Sequence, residues 1–447
     1  MTKTVTPHVT GDLARYREPD IELADRADIL AMQRERLSEI VDYALSNSAL
    51  TKELWAAHGL GRGDVRTMED FLDRAPFFVQ SDSTDYGMRT GDAFGGLLSM
   101  PRSQVEVVAS TSGTTGIPMA LPQYADNPRV VSSSRDLHEE GLRAGDTLLR
   151  MNIVSRGGLI SQSSRVTDGL GVRTVTLNNN PDSAAAVIEA AERFSPVSFH
   201  IMSRPLMIAL NDCAAEKGIE LNEAFSSFHT VTFGGEPLGD AGRSQLKRWF
   251  SRVRVHTGLG NTVAAVECLE ADGGHTWEDL VLIEVLDPQT RLPVPEGEVG
   301  ELVVTTLMEK AMPLLRFRTE DLVRFTSTRC GCGRTHGRIW TVGRLGDGVR
   351  VAGKVILPSD LLAVLALFPE TQAGLCQLIR PKHEEQEEQV LRLRVGRAEG
   401  RSDTELGAAM QQAVMERLGI ESNPSFIPNA TLLSSGPGYK IPRIVKE

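Results

Sequence analysis

The sequence is poor in cysteine: its 447 residues include only five. So few thiols, odd in number, argue against a disulfide framework. Basic residues are outnumbered as well, with 48 Lys and Arg against 59 Asp and Glu and a formal charge of −11. Because nucleic acids and anionic membranes are bound by clustered positive charge, this balance argues against both as partners and favours a small molecule.

Long apolar runs are also missing. The opening residues MTKTVTPH lack the apolar region of a secretory signal, and no stretch is apolar enough to span a bilayer, so we expect a cytoplasmic protein. Repeats and low-complexity blocks are absent. Hydrophobic residues at 41% and charged residues at 24% are typical of globular domains. A chain of this length usually forms two domains.

Short β-rich runs alternate with helical stretches between about residues 105 and 304, which predicts an α/β fold. The sequence then becomes rich in glycine and charge at residues 343–354, GRLGDGVRVAGK. We place the domain boundary there, with a large α/β domain over residues 1–344 and a compact α+β domain over residues 345–447. The final GPGYKIPRIVKE predicts a loop.

The segment STSGTTGIP, residues 110–118, has the composition of a phosphate-binding loop. Glycine lets the backbone approach an anion, while hydroxyl and N–H groups surround phosphate oxygens. It is not a Walker A loop, because the GxxxxGK[ST] pattern is absent. Composition alone would favour a flexible surface loop.

This loop resembles the phosphate-binding signature of adenylate-forming enzymes, and four further segments match that superfamily in order. TFGGEPL (232–238) is similar to the turn that flanks adenine, and RFRTED (316–321) to the segment whose last Asp binds the ribose. GR (343–344) matches the motif whose Arg also reaches the ribose, and GYK (438–440) the loop of the catalytic lysine. The stretch GEVGELVVTTLMEKAMPLLRFRTEDL is similar to phenylacetate–CoA ligases.

The resemblance implies a large N-terminal adenylate-forming domain of mixed α/β layers and a small mobile α+β domain that turns about Gly346 and Asp347. It implies that ATP and an aryl or heteroaryl carboxylic acid give an acyl-adenylate, which CoA then attacks. Mg²⁺ is an implied cofactor, and the resemblance allows a homodimer. The implied nucleotide-binding residues are Ser110, Thr111, Ser112, Gly113, Thr114, Thr115, Gly116, Gly234, Gly235, Glu236, Pro237, Thr257, Gly258, Asp321 and Arg344. The implied acid pocket is Asn152, Ser155, Arg156, Gly157 and Gly158.

Two of these roles have a clear chemical basis. The carboxylate of Asp321 can accept from two ribose hydroxyls, although an ion pair with Arg316 or Arg318 is the alternative. Lys440 can neutralise the charge that develops as pyrophosphate leaves, although a lysine near a chain end is usually solvated.

The sequence departs from the superfamily where a Glu usually helps to hold Mg²⁺. Thr257 occupies the aromatic position and Asn261 the position of the Glu, and a neutral amide is a weaker ligand for a hard cation. Either the ATP phosphates and Thr115 hold the ion, or Glu267 substitutes, or the activity is altered.

The acyl acceptor is a second open point, because residues 351–355 match the usual CoA-contacting loop only in part. The alternatives are an amine, a carrier protein or another nucleophile, as in amide- or N–N-forming ligases. A degenerate, non-catalytic nucleotide-binding protein is a further alternative.

Three thiols and one imidazole, from Cys268, His275, Cys330 and Cys332, have the chemistry of a tetrahedral Zn²⁺ site. Their spacing is not that of a zinc finger, so buried free cysteines are the alternative, and His336 is a rival ligand. Some phenylacetate–CoA ligases have a similar set. Four protein ligands leave no open position, which predicts a structural zinc.

Overall fold

A computed structural model describes residues 13–110, 119–152, 165, 167–259, 263–381, 388–436 and 438–447. The chain divides into two compact units. The first comprises Met1–Leu148, Asn152–Thr174 and His256–Trp340, and the second comprises Leu149–Met151, Val175–Val255 and Thr341–Glu447.

The α-helices, in chain order, are α1 (Pro19–Glu22), α2 (Arg26–Asn47), α3 (Ala49–Ala57), α4 (Met68–Arg74), α5 (Gln80–Thr90), α6 (Pro128–Glu139), α7 (Ala184–Phe194), α8 (Arg204–Lys217), α9 (Leu221–Ala224), α10 (Gly239–Trp249), α11 (Pro358–Leu365), α12 (Asp403–Leu418) and α13 (Asn429–Leu433). Within the described part of the chain, none of these is long and apolar enough to cross a membrane.

The strands are β1 (Val107–Ser110), β2 (Ala120–Gln123), β3 (Thr147–Asn152), β4 (Arg173–Asn178), β5 (Ser198–Met202), β6 (Thr230–Gly234), β7 (Arg252–Leu259), β8 (Val263–Val266), β9 (Gly274–His275), β10 (Val281–Leu286), β11 (Gly300–Thr306), β12 (Phe317–Thr326), β13 (Arg338–Arg344), β14 (Val349–Val351), β15 (Lys354–Ile356), β16 (Cys376–Arg380), β17 (Val390–Arg397), β18 (Glu421–Pro428) and β19 (Ile444–Lys446).

The first unit is built on a five-stranded sheet of order β10-β11-β12-β13-β9. The pairings of β10 with β11, β11 with β12 and β13 with β9 are antiparallel. Helix α2 buries its own apolar face. Leu37, Ile40, Val41 and Ala44 recur at helical spacing and lie in a core that also contains Trp55.

The second unit contains the predicted α/β alternation. Its strands follow the order β4-β3-β5-β6-β7, and β5 runs parallel to β6. Four phenylalanines fill the core beside this sheet, with the ring centroids of their contacting pairs 5.3 to 6.1 Å apart: Phe199, Phe225, Phe228 and Phe250. Such aromatic contacts add to the free energy gained by burial.

The C-terminal part of the second unit has a core of its own, drawn from residues 349–420. Its sheet has the order β18-β17-β16-β19 and is accompanied by helices α11 and α12, in agreement with the α+β composition predicted for this region. Strand β19 lies in the segment for which the sequence predicted a loop. It forms because Ile444 to Lys446 pair in parallel with Leu378 to Arg380 of β16, a long-range contact that local composition does not encode.

Candidate active site and metal centre

The phosphate-loop candidate is the connection of a β-hairpin. Strands β1 and β2 are antiparallel, and their ladder ends with Ser110 opposite Ala120. Thr111, Ser112, Gly113, Thr114, Thr115 and Gly116 lie outside the described residues, as does the side chain of Ser110. The structure therefore fixes the two ends of this loop.

A second hairpin carries two of the expected nucleotide-binding residues, Thr257 and Gly258. Strand β7 pairs with β8, with Thr257 opposite Ala265 and Gly258 opposite Ala264. Asn261 lies outside the described residues. Of the acid-pocket candidates, Asn152 is buried at the end of β3, while Ser155, Arg156, Gly157 and Gly158 also lie outside them.

The turn that follows β6 contains Gly234, Gly235, Glu236 and Pro237. Gly235 has φ of +96°, a conformation that favours glycine and turns the chain away from the strand. The Glu236 carboxylate is 10% exposed and forms ion pairs with both Arg204 and Arg443.

Asp321 lies on β12, half-buried, and its backbone N–H donates to the Thr319 hydroxyl at 3.1 Å. The neighbouring arginines are bound to other carboxylates. Arg316 donates twice to Glu284, at 3.1 and 2.7 Å, and Arg318 twice to Glu301, at 2.9 and 2.6 Å. The Arg316 pair is bidentate, whereas Nε and Nη2 of Arg318 donate to the same Glu301 oxygen. Neither pair supports the alternative of an Asp321 ion pair with these arginines.

The hinge candidates follow the last residue of β13, Arg344. Gly346 and Asp347 lie in a single exposed turn. Arg380 of β16 donates to the carbonyl oxygens of Gly346 and Gly348, at 2.5 and 2.6 Å. The turn is thus held by its backbone oxygens, while the side chain of Asp347 lies at the surface.

Lys440 lies in a tight loop that closes on itself. A Cβ placed on Gly436 would be 2.0 Å from the Lys440 carbonyl oxygen, so only glycine fits there. The ammonium of Lys440 is 5.6 Å from the centroid of the Tyr439 ring. Burial, followed by the charge of Arg344, lowers the pKa of Lys440, against the opposing charges of Asp347 and Glu236.

Within the second unit the structure therefore brings together Lys440, Arg344, Asp347 and Glu236, whereas Asp321, Thr257 and Gly258 belong to the first unit. Sequence reasoning missed Arg204 and Arg443, which bind Glu236. One signal was present for Arg204: it opens α8, where a positive charge opposes the helix dipole and calls for a nearby anion.

The predicted metal ligands converge. The ligand atoms of Cys268, His275, Cys330 and Cys332 all lie within 4.8 Å of one another, and every one of these residues is buried. The sulfurs of Cys268 and Cys330 are 3.7 Å apart, and the Cys332 sulfur is 3.3 Å from His275 Nε2. Ligands about 2.3 Å from a tetrahedral zinc lie about 3.8 Å apart, so the donor set fits this ion.

Hydrogen bonds orient the ligands. His275 Nδ1 lies 3.1 Å from the His336 carbonyl oxygen, which leaves Nε2 for the thiols. A hydrogen bond from Cys268 lowers the pKa of Cys332, and the same contact raises the pKa of Cys268 to about 12. The rival ligand His336 has both ring nitrogens engaged, by Ile21 and Glu278, so neither is left to replace a thiol or His275.

A buried ion-pair network encloses this cluster. Arg334 donates to the Cys332 sulfur at 3.7 Å and pairs with Glu22 at 2.7 Å and Glu139 at 3.1 Å. The Tyr16 hydroxyl donates to the Cys332 carbonyl at 2.5 Å. The cluster thus joins α1 and the segment before it to the loop after β12.

Comparison with known proteins supplies the family. No protein-family model matches the chain. The phenylacetate–coenzyme A ligase of Thermus thermophilus is 31% identical over 376 residues, which cover 79% of this chain and 78% of that protein. The chain belongs to the phenylacetate–CoA ligase family. The ligase of that name from Aromatoleum evansii is 29% identical over 379 residues, covering 82% of this chain and 80% of that one.

Solved structures agree with the α/β fold predicted for this family. A 2-hydroxyisobutyryl-CoA ligase in its postadenylation state, in complex with 2-HIB-AMP, superposes with a TM-score of 0.86 at 21% identity, over 98% of this chain and 94% of that one. The predicted resemblance to the phenylacetate–CoA ligases is confirmed by the two relatives above. As a phenylacetate–CoA ligase family member, the protein is an AMP-forming ligase that activates an acid with ATP and transfers the acyl group to CoA.

Proposed function

We propose that this ligase activates an aryl or heteroaryl carboxylic acid, with Lys440 as the cation that promotes adenylation. The acid carboxylate attacks the α-phosphorus of ATP, the bond to pyrophosphate breaks, and an acyl-adenylate forms. Lys440 neutralises the negative charge that develops on the phosphate oxygens. The observation that carries the proposal is the placement of Lys440, half-buried in a closed loop where burial and the charge of Arg344 lower its pKa.

Arg344, Asp321 and the turn at Gly234–Pro237 are proposed to hold the nucleotide, together with Thr257, Gly258 and the loop at 110–116. Thr115 with the ATP phosphates, or Glu267 in its place, is proposed to hold Mg²⁺, and Thr115 lies outside the described residues. The general role of the ion would be to neutralise phosphate charge.

The second step is proposed to follow rotation of the small domain, residues 345–447, about Gly346 and Asp347. Rotation withdraws Lys440 and opens a path by which the CoA thiol attacks the acyl carbon, with AMP as the leaving group. The support is the exposed glycine-containing turn at this junction. A homodimer remains a prediction that light scattering of the purified protein would test.

The acid is proposed to be aromatic because the curated relatives are named for phenylacetate. A panel of aryl, heteroaryl and aliphatic acids, scored by pyrophosphate release, would test this class. Preference for an aliphatic acid would overturn it.

The lysine assignment is tested by acid-dependent pyrophosphate exchange. Lys440→Ala should lower the exchange rate by about a hundredfold or more, because a preorganised charge is lost at the reacting centre. Lys217→Ala, an exposed lysine at the end of α8, is the matched control. Full exchange by Lys440→Ala would refute the assignment. Mass spectrometry of the product with CoA, against candidate amines, tests the acceptor.

We also propose that Cys268, His275, Cys330 and Cys332 hold a structural zinc. The support is the buried S₃N donor set and its ligand separations. Because the four positions are all protein ligands, this ion would stabilise the fold and take no part in the reaction.

A further inference from the structure

The Glu236 carboxylate lies between two guanidinium groups. Arg204 Nε donates to one oxygen, and Arg443 donates to both, at 3.1 and 2.8 Å. The side chains are 1%, 10% and 14% exposed for Arg204, Glu236 and Arg443. Although burial opposes ionisation, Arg443 and Arg204 hold the pKa of Glu236 below its usual value.

Arg204 binds Glu236 from the side of the turn after β6. Its Nη2 donates to the carbonyl oxygens of Pro237 and Leu238, both at 2.8 Å, so the guanidinium is fixed against the turn after β6. Its Nη1 also reaches the Ala373 carbonyl at 3.2 Å.

Arg443 binds Glu236 from the side of strand β16. Its Nη1 donates to the carbonyl oxygens of Gly374 and Cys376, at 2.9 and 3.2 Å, at the start of β16. The bidentate pair with Glu236 therefore ties the chain terminus to the turn after β6.

Arg443 is close to Lys440 along the chain. Of the two residues between them, Ile441 is 3% exposed and packs against Ile208, Leu375 and Leu432, and the other is Pro442, whose φ is fixed. Three residues span at most about 11 Å, and this segment has little freedom. A displacement of Arg443 is therefore passed to Lys440.

We propose that Arg204, Glu236 and Arg443 form an ion-pair clamp that positions Lys440 for adenylation and must open before the small domain can rotate. Arg443 is then a positioning residue, since it acts through the lysine. This inference rests on the proposed role of Lys440. It also gives Glu236 a function through its side chain, whereas the sequence placed this residue only in the nucleotide-binding set.

Removing Arg443 should leave a folded protein. Glu236 keeps Arg204 as its partner, so Arg443→Met leaves no buried charge without a counter-ion. Glu236→Gln would leave two buried guanidiniums facing each other without an anion and is the poorer variant. Arg401, which forms a bidentate pair with Glu370 elsewhere in the same unit, provides the matched control Arg401→Met.

The experiment compares the two half-reactions in purified full-length protein. Arg443→Met should lower kcat for acid-dependent pyrophosphate exchange by about ten- to a hundredfold with little change in KM, because misplacement of a catalytic group by about 1 Å has effects of this size. Attack of CoA on supplied acyl-adenylate should keep its rate or become faster. Arg443→Lys should recover part of the exchange rate, and Arg401→Met should retain both rates.

A double variant separates positioning from general stability. If Arg443 acts through Lys440, then Arg443→Met should cause no further loss of exchange in a Lys440→Ala background. Equal slowing of both half-reactions, full exchange by Arg443→Met, or an undiminished effect in the double variant would each overturn the clamp. Full exchange by Lys440→Ala alone would instead overturn the proposed function, so the two failures are distinguishable.

Discussion

Replacement of Gly436 by alanine should disable adenylation without unfolding the protein. The added Cβ would lie 2.0 Å from the Lys440 carbonyl oxygen and 3.0 Å from Ile441 Cα. Ordinary van der Waals contact requires about 3.4 Å or more, so the backbone that carries Lys440 must move by about 1 Å. A shift of that size at a catalytic group costs about a hundredfold in rate, or about 2.7 kcal/mol in the activation free energy.

Pyrophosphate exchange measures this effect directly, and thermal unfolding checks that Gly436→Ala is folded. Gly407→Ala is the control, because Gly407 lies inside α12 of the same unit and its Cβ would be in ordinary contact, 3.7 Å from the Phe426 ring. Alanine in a helix interior should stabilise the protein by up to about 1 kcal/mol and leave exchange unchanged. Wild-type exchange by a folded Gly436→Ala variant would refute the inferred closure of the lysine loop.

Three further outcomes are expected. Cys330→Ser should reduce the zinc content from about one ion per chain to near zero, by elemental analysis of purified protein, while exchange continues if the variant folds. Arg334→Met should lower the free energy of unfolding by about 3–5 kcal/mol in urea titration, because Glu22 and Glu139 lose their buried counter-ion. The pKa of Lys440 is lowered, so its protonated form is lost as pH rises through a value below the ordinary 10.5. The alkaline fall in exchange rate should begin correspondingly early.

Each of these outcomes has a control. Cys213→Ser, at a half-buried cysteine outside the cluster, should retain the metal, and metal-free wild-type protein would refute the zinc site. Arg193→Met breaks an exposed pair with Glu189 and should change stability by less than about 1 kcal/mol. The attack of CoA on supplied acyl-adenylate should lack the alkaline fall assigned to Lys440. An identical fall in both half-reactions would contradict the assignment.

Local sequence patterns were sufficient for much of the fold. The predicted alternation of helical and β-rich runs is present, for example as helix α7 followed by strand β5, since the spacing of their apolar residues is set by helix and strand geometry. Strands β18 and β19 were missed, because each exists by pairing with a distant segment, β18 with β17 and β19 with β16. Pairing partners far apart in the chain leave no local pattern.

The candidate sites also contain some residues that the sequence could identify and others that only the structure showed. The lysine loop, the turn at Gly234–Pro237 and the four metal-ligand candidates could be named from residue type, order and family resemblance. Cys268 and His275 lie about sixty residues before Cys330 and Cys332, so the sequence alone could not show that they meet. The structure shows that their ligand atoms lie within 4.8 Å of one another. Arg204 and Arg443 carried no recognisable motif.

What the sequence alone determined is the reaction class, because five segments in order resemble one superfamily of enzymes. The residues that approach nucleotide and acid are predictions drawn from the same resemblance. What the tertiary structure decided is which charges face one another. Glu236, Arg204 and Arg443 are separated by 32 and 207 residues along the chain and meet in one buried cluster. Electrostatic energy depends on the distance between charges and on their burial, and the number of residues between two charges predicts neither quantity.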